Sequence, residues 1–260
     1  MINIVKVGGG IIENEEDLST FLTSFSKIPG KKILIHGGGR LATKFAAQLG
    51  IKTNMIEGRR VTDDAMLDVV TMVYGGLTNK KIVAALQANN INALGLSGAD
   101  GNIIKAHKRV VKEVDYGWVG DIDEINTGLI LTLLDNNIVP VIAPLSHDGK
   151  GKILNTNADT IASAVASAIS IKRETQLVLG FELDGVLVDP KDKTSVITKI
   201  TPQLFEDYKK SGVITDGMIP KLENAFAAIS AGVSAVKICN ALKISEAITE
   251  NNIGTTITNN

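Results

Sequence analysis

Along the whole of this chain, short β-branched runs alternate with stretches of helical apolar spacing, and that alternation limits the available folds more than any other feature. Ile2–Val7 and Lys32–Ile35 read as strands, and between them Leu18, Phe21, Leu22 and Phe25 give the stripe of an amphipathic helix. A helix carrying Leu41, Phe45 and Leu49 follows. A long helix then opens near Thr62, whose hydroxyl is expected to cap it while Asp63 and Asp64 favour its dipole. Its buried stripe would comprise Met66, Val69, Val70, Val73 and Leu77. Ala93–Leu96 and Ile138–Ile142 read as buried strands, with Ile103–Val111 as hairpin material and Leu129–Leu134 as a helix between them. Asn157 and Asp159 open a helix with Ile161, Val165 and Ile169 on one face. Leu177–Leu179, Val186–Val188, Val233–Ile238 and Thr255–Ile257 are further strands, and Thr201-Pro202 and Leu222–Ala231 mark two further helices. The pattern predicts an α/β fold: a mainly parallel sheet covered by helices on both faces. The softest boundary lies at Ile171–Thr175, which suggests lobes of 1–171 and 172–260.

Composition narrows the function classes. The chain of 260 residues has 27 Lys+Arg against 28 Asp+Glu, which removes the basic footprint of a general nucleic-acid binder. Its single cysteine, Cys239, cannot form an internal disulfide and fits a reducing compartment. The first apolar run carries Lys6 and breaks at glycine, so it reads as neither signal peptide nor membrane span, and a cytoplasmic protein is expected.

Two glycine triplets, Gly8-Gly9-Gly10 and Gly37-Gly38-Gly39, each follow a buried strand. Loops at the carboxyl ends of parallel strands are where open α/β sheets hold ligands, and glycine lets backbone N–H groups approach an anion. A single triplet reads most simply as a turn; two at equivalent places, the first beside Lys6, point to a phosphorylated ligand. No G-x-x-x-x-G-K-[ST] run occurs, so this is not a P-loop protein. Gly37-x-Gly39-x-x-Ala42 with Glu57 fits a loosened dinucleotide fingerprint, and a dinucleotide oxidoreductase is the third reading. Gly95-Leu96-Ser97-Gly98 resembles half a nucleophile elbow, which would require His147 as base and Asp121 or Asp135 as acid. Later in the chain, Asn157 reads as a helix cap. Asp159 and Lys221 read either as a dipole partner and a solvated base or as parts of a phosphoryl-transfer constellation.

Six segments in order are similar to those of the N-acetyl-L-glutamate kinases. They are Lys6-Val7-Gly8-Gly9, His36-Gly37-Gly38-Gly39, Gly58-Arg59-Arg60-Val61-Thr62, Gly95-Leu96-Ser97-Gly98, Asn155-x-Asn157-Ala158-Asp159 and Asp216-Gly217-Met218-Ile219-Pro220-Lys221. The resemblance implies a three-layer α/β/α sandwich of the amino acid kinase fold, with an N-terminal lobe for an N-acylglutamate and a C-terminal lobe for ATP. It implies transfer of the γ-phosphoryl to the side-chain carboxylate, in arginine biosynthesis, with Mg²⁺ held mainly by the nucleotide phosphates. By the same resemblance Lys6 and Lys221 neutralise the migrating phosphoryl while Asp159 orients both ammonium groups. Gly8, Gly9, Gly37 and Gly38 offer N–H donors, Arg60 grips the substrate α-carboxylate, and Asn155 holds its backbone or acyl amide. A succinyl group in place of acetyl would need a cation, for which Lys52 and Arg59 are candidates. The chain opens on its first strand, so the resemblance implies a homodimer without arginine feedback, with the long Thr62 helix as its face. Two departures fall in the nucleotide lobe: the run Gly180-Phe181-Glu182-Leu183-Asp184 replaces the usual Thr-Asp or Ser-Asp pair, and the turn after Lys237 lacks its glycine. The first leaves open a non-catalytic nucleotide- or amino-acid-sensing module on the same fold.

Overall fold

Six consecutive buried residues, Ile2–Val7, can sit only where both faces of a strand are covered, and they form the strand β1 near the middle of the sheet. The computed structural model describes residues 1–56, 58–214, 218–250 and 252–259. After β1 come β2 (Lys31–His36), β3 (Met55–Ile56), β4 (Arg59–Arg60), β5 (Ala93–Leu96), β6 (Ile104–Lys108) and β7 (Gly120–Ile125). Then follow β8 (Val139–Ile142), β9 (Leu145–His147), β10 (Ile153–Asn155), β11 (Thr175–Phe181), β12 (Lys199–Ile200), β13 (Ala235–Asn240) and β14 (Thr255–Ile257). The large sheet has the order β12-β14-β13-β11-β1-β2-β8-β5. Its pairs are parallel except β13 with β14, in keeping with the expected mainly parallel sheet. A smaller sheet, β10-β9-β6-β7, holds the hairpin expected near Ile103–Val111, and β3 and β4 form a two-stranded hairpin.

Period-two alternation divides the strand residues between two helical layers. Ile2, Ile4, Ile33, Ile35, Leu177, Leu179, Val236 and Ile238 pack on one side. They meet α6 (Thr127–Asp135), α7 (Ala158–Ser170), α8 (Pro202–Lys210) and α9 (Ile219–Ser230) there. Val5, Val7, Leu34, Val178 and Cys239 face the other way. Their partners are α1 (Gly9–Glu13), α2 (Glu15–Ser26), α5 (Asn79–Ala88) and α10 (Ile244–Thr249). A third cluster joins α3 (Gly39–Gln48) to α4 (Asp64–Val70). No helix among the described residues is long and apolar enough to cross a membrane.

Several elements differ from the sequence reading. The cap of α4 is Asp63, whose carboxylate accepts from the Met66 N–H at 2.8 Å, because Thr62 is wholly buried and bonded elsewhere. The long helix changes to a π-helix at Thr71–Thr78 before resuming as α5. That extra residue per turn rotates the inward face, so Val73, Tyr74 and Thr78 are buried and Leu77 only partly so. In α3 the small Ala42 and Ala46 face inward, while Leu41 and Phe45 are half-buried and Leu49 is exposed. Val186–Val188 forms no strand; Leu187 makes only an isolated bridge with Val196.

Two lysines on one face of the sheet are spent on structure. Lys32 Nζ donates to the carbonyls of Phe25, Ser26 and Ile28 at 2.8–3.0 Å, closing the C-terminus of α2. Lys237 Nζ donates in the same way to Ala247 and Glu250 at the end of α10. Burial lowers both ammonium groups, Lys32 to about 8, so it remains charged at neutral pH while facing helix-terminal carbonyls. Lys32→Met removes the ammonium donor from three carbonyls, of which that of Phe25 keeps a partner in the Ile28 N–H, and is expected to lower unfolding free energy by about 1–3 kcal/mol, measured by chemical denaturation.

His36, wholly buried at the end of β2, donates from Nδ1 to the Gly37 carbonyl at 2.7 Å and accepts at Nε2 from Asn79 at 3.1 Å. Burial pushes its imidazole down to about 4. Because the unfolded side chain titrates near 6.5, the unfolded state binds the extra proton first. The contribution of neutral His36 is therefore fully present above about pH 6.5 and is lost as pH falls toward 4. The stability gap between wild type and His36→Gln should narrow across that window; a gap constant between pH 7 and 4.5 would contradict this assignment.

Candidate active site

The two glycine turns, remote in sequence, pack backbone to backbone at the carboxyl ends of β1 and β2. The Gly37 N–H donates to the Val7 carbonyl at 3.0 Å, and a Cβ on Gly37 would lie 3.3 Å from the Gly9 nitrogen. A Cβ on Gly38 would meet the Tyr74 ring at 2.9 Å, so this position accepts glycine alone. The helices that follow, α1 and α3, begin at Gly8 and Gly38 with no side-chain cap, and their first-turn N–H groups remain available to an anion.

Two pockets meet over these turns. The first, about 230 Å³, is walled by Gly37, Gly38, Arg60, Asn155 and Asp159; the second, about 430 Å³, by Gly8, Gly10, Phe181 and Lys221. Lys6, Gly9 and Gly39 line both, so the two cavities share one wall. The structure thus brings together around these two pockets all nine residues to which the family resemblance gave a role: Lys6, Gly8, Gly9, Gly37, Gly38, Arg60, Asn155, Asp159 and Lys221.

Lys6 points from β1 toward the α7 layer, where its Nζ stands 3.0 Å from Asp159 Oδ1. That oxygen is shielded from solvent and has no aligned hydrogen bond, so the contact is an ion pair held by charge. Asp159 owes its place to Asn157, which caps α7 by accepting from the Asp159 and Thr160 N–H groups at 2.8 and 3.1 Å. Lys221 sits in the first turn of α9, with Asp216 and Gly217 of its motif outside the described residues. Its Nζ lies 4.4 Å from the centroid of the Phe181 ring, and Lys6 Nζ lies 5.0 Å from the same centroid. Two ammonium groups 215 positions apart in the chain therefore face one cleft.

In the first pocket Arg60 is buried and oriented by four contacts. Its Nη2 donates to the Gly39 carbonyl and Thr43 Oγ1 at 2.7 and 2.8 Å, and its Nη1 approaches Thr53 Oγ1 and Met66 Sδ. Thr62 accepts from Asn155 Nδ2 at 2.9 Å and donates to the Arg60 carbonyl, tying both candidate substrate ligands to one hydroxyl. Tyr74 is buried nearby; burial raises its phenol, and the adjacent Arg60 guanidinium opposes the rise.

Sequence reasoning missed Arg109 and Tyr74. Arg109 lines the first pocket and forms a forked pair with Asp121 at 2.6–3.2 Å across the β6–β7 hairpin, which holds that carboxyl below its usual range. Pairing along the hairpin, rather than any local motif, puts them together. Tyr74 could have been found had Gly75-Gly76 been read as a slip in helical register. Arg59 also lines the pocket, whereas Lys52 is not among its lining residues.

The hydrolase reading does not assemble among the described residues. Ser97 Oγ donates to Asp100 at 2.8 Å, His147 Nε2 meets Asn102, and Asp135 pairs with Lys31, so no Ser–His–acid relay forms. Glu57, needed for a dinucleotide ribose contact, lies outside the described residues.

The amino acid kinase family model matches residues 1–240. The chain is 56% identical over 245 residues to the acetylglutamate kinase of Phocaeicola vulgatus, covering 94% of this chain and 95% of that one. It is 52% identical over 259 residues to the acetylglutamate kinase of Cytophaga hutchinsonii, covering 99% and 98%. The solved structure of the smu.665 protein of Streptococcus mutans UA159 superposes with a TM-score of 0.77 at 29% identity, covering 100% and 99%. Matched by that model over most of its length and by relatives more than half identical along nearly the whole of both chains, the chain belongs to the amino acid kinase family.

Proposed function

We propose that the chain is an ATP-dependent N-acyl-L-glutamate kinase that converts the side-chain carboxylate of its substrate to an acyl phosphate in arginine biosynthesis. What carries this reading is the wall of Lys6, Gly9 and Gly39 common to the two pockets, with Lys221 facing the same cleft. The smaller pocket has the size and the cationic lining for an acylated dicarboxylic amino acid, and the larger one suits nucleotide phosphates. Residues 1–171 would then bind the amino acid and 172–260 the nucleotide.

A carboxylate is already an anion at neutral pH, so its attack needs no general base. None of the three histidines lines either pocket, in line with that chemistry. The obstacle is repulsion between an anionic nucleophile and an anionic nucleotide, and the contribution of the protein is position and positive charge. As the γ-phosphorus–oxygen bond to the β-phosphate breaks and the new bond to the carboxylate oxygen forms, no proton moves. Lys6 and Lys221 neutralise the equatorial oxygens, and Gly8, Gly9, Gly37 and Gly38 supply N–H donors. Asp159, expected to orient both ammonium groups, stands at ion-pair distance from Lys6 and not from Lys221, and holds Lys6 in place; Arg60 offers its positive charge to the α-carboxylate, and Asn155 holds the substrate backbone or its acyl amide. The carboxylates of the two pockets, Asp159 and Glu182, are already engaged by Lys6 and Arg40. That donor set suits a Mg²⁺ ion carried in by the phosphates, where it would neutralise charge on the nucleotide. An acetyl group needs no further partner; the carboxylate of a succinyl group would meet Arg59. The homodimer is proposed on the resemblance, through the long helix that bears the exposed Met72.

A coupled ADP-release assay with acetylglutamate, succinylglutamate, free glutamate, aspartate and UMP tests the reading. Turnover of an N-acylglutamate over the other three is expected, and binding without ADP release would favour the sensing module instead. Lys6→Met or Lys221→Met should lower kcat by about 10²-fold or more with little change in ATP affinity, since lost electrostatic stabilisation falls on the transition state. Arg60→Ala should instead raise KM for the acyl amino acid; an unchanged KM would remove Arg60 from the substrate site.

A further inference from the structure

The placement of Lys221 poses a problem that the ion pairs do not solve. Its ammonium must stay in the cleft beside Lys6, a like charge, on a long flexible stem. Asp159 pairs with Lys6, and among the described residues no carboxylate stands within ion-pair distance of Lys221. What does lie against it is the ring of Phe181, 4.4 Å from centroid to nitrogen, and the same ring lies 5.0 Å from Lys6 Nζ. Phe181 is the last residue of β11, parallel neighbour of β1, and packs against the α6–α9 hydrophobic layer, so the ring is anchored by the sheet.

We propose that Phe181 is a positioning residue for phosphoryl transfer, its ring face holding the Lys221 and Lys6 ammonium groups toward the transferred group. The physical case rests on charge. A second carboxylate could also restrain Lys221, but it would cancel the positive potential that draws in a nucleotide and an anionic nucleophile. An aromatic face attracts a cation through its quadrupole and adds no net charge. Among the described residues the two lysines have one acid and one ring as partners, and Glu182 is taken by Arg40, so the cleft stays net positive and still ordered. This also gives a role to Phe181 within the Gly180–Asp184 run, which departs from the usual sequence of the family. The inference rests on the kinase reading above.

Its test weakens the quadrupole without changing shape. Phe181 is replaced by mono-, di- and trifluorophenylalanine, and kcat and KM are measured for ATP and acetylglutamate. Stepwise loss of kcat to roughly a tenth of wild type, with both KM values within about twofold, is expected for a cation–π contact of this kind. Phe181→Tyr should retain activity, and Phe181→Leu should lose it at unchanged melting temperature. If Phe181→Leu fails to fold, the fluorinated series decides alone. A flat kcat series in an active enzyme overturns the proposal, as does a fall carried by KM. A wild-type enzyme that releases no ADP from any N-acylglutamate would instead overturn the kinase reading on which it stands.

Discussion

The cleft depends on one ion pair at the end of a central strand. Lys6 leaves β1 where the sheet stops, and Asp159 reaches it from the first turn of α7. The pair joins sheet to helical layer where both pockets meet, and its orientation is inherited from rigid elements: a strand buried on both sides and a helix start fixed by the Asn157 cap. Charge brought to a sheet edge in this way needs no flexible loop to carry it, which is what electrostatic preorganisation requires.

Around that pair the glycine turns solve a problem of space. For one phosphate group to meet N–H donors from two different strands, the two backbones must approach closer than side chains allow, and the spacing between Gly37 and Gly9 leaves no room for a looser arrangement. The rest of the site then braces these turns. His36 and Asn79 fix the second from below, and Arg60 and Tyr74 fix it from the pocket side. One arginine thus both lines the smaller pocket and supports the turn beside it.

The sheet, the helical layers and the two glycine turns were legible in the sequence because each rested on a local signal, whereas Arg60 and Asn155 entered through the family resemblance. Period-two and helical spacing placed β1, β2, α2 and α7; strand-then-glycine placed the turns; Asn157 announced its own helix. What was not legible depended on register or on distance along the chain. Thr62 looked like a cap, but Asn155, far along the chain, claims its hydroxyl. Leu77 looked buried until the π segment rotated the helix. Arg109 came to the pocket through hairpin pairing, and Phe181, read only as a departure, met two ammonium groups through the juxtaposition of β11 and α9.

The π segment has a consequence beyond register. A helix that keeps 3.6 residues per turn presents each side chain about 100° from the last, so one surplus residue swings everything downstream by roughly that angle. Here the surplus falls where the helix passes the second glycine turn, and Tyr74 is the residue that ends up beneath Gly38. Excising a single amino acid from Thr71–Thr78 would relax the segment to ordinary winding at no loss of greasy surface. The aromatic prop would then rotate away from Gly38, and the second glycine turn would lose the ring that packs against it. The irregular turn and the aim of Tyr74 at the loop are thus one feature of the fold.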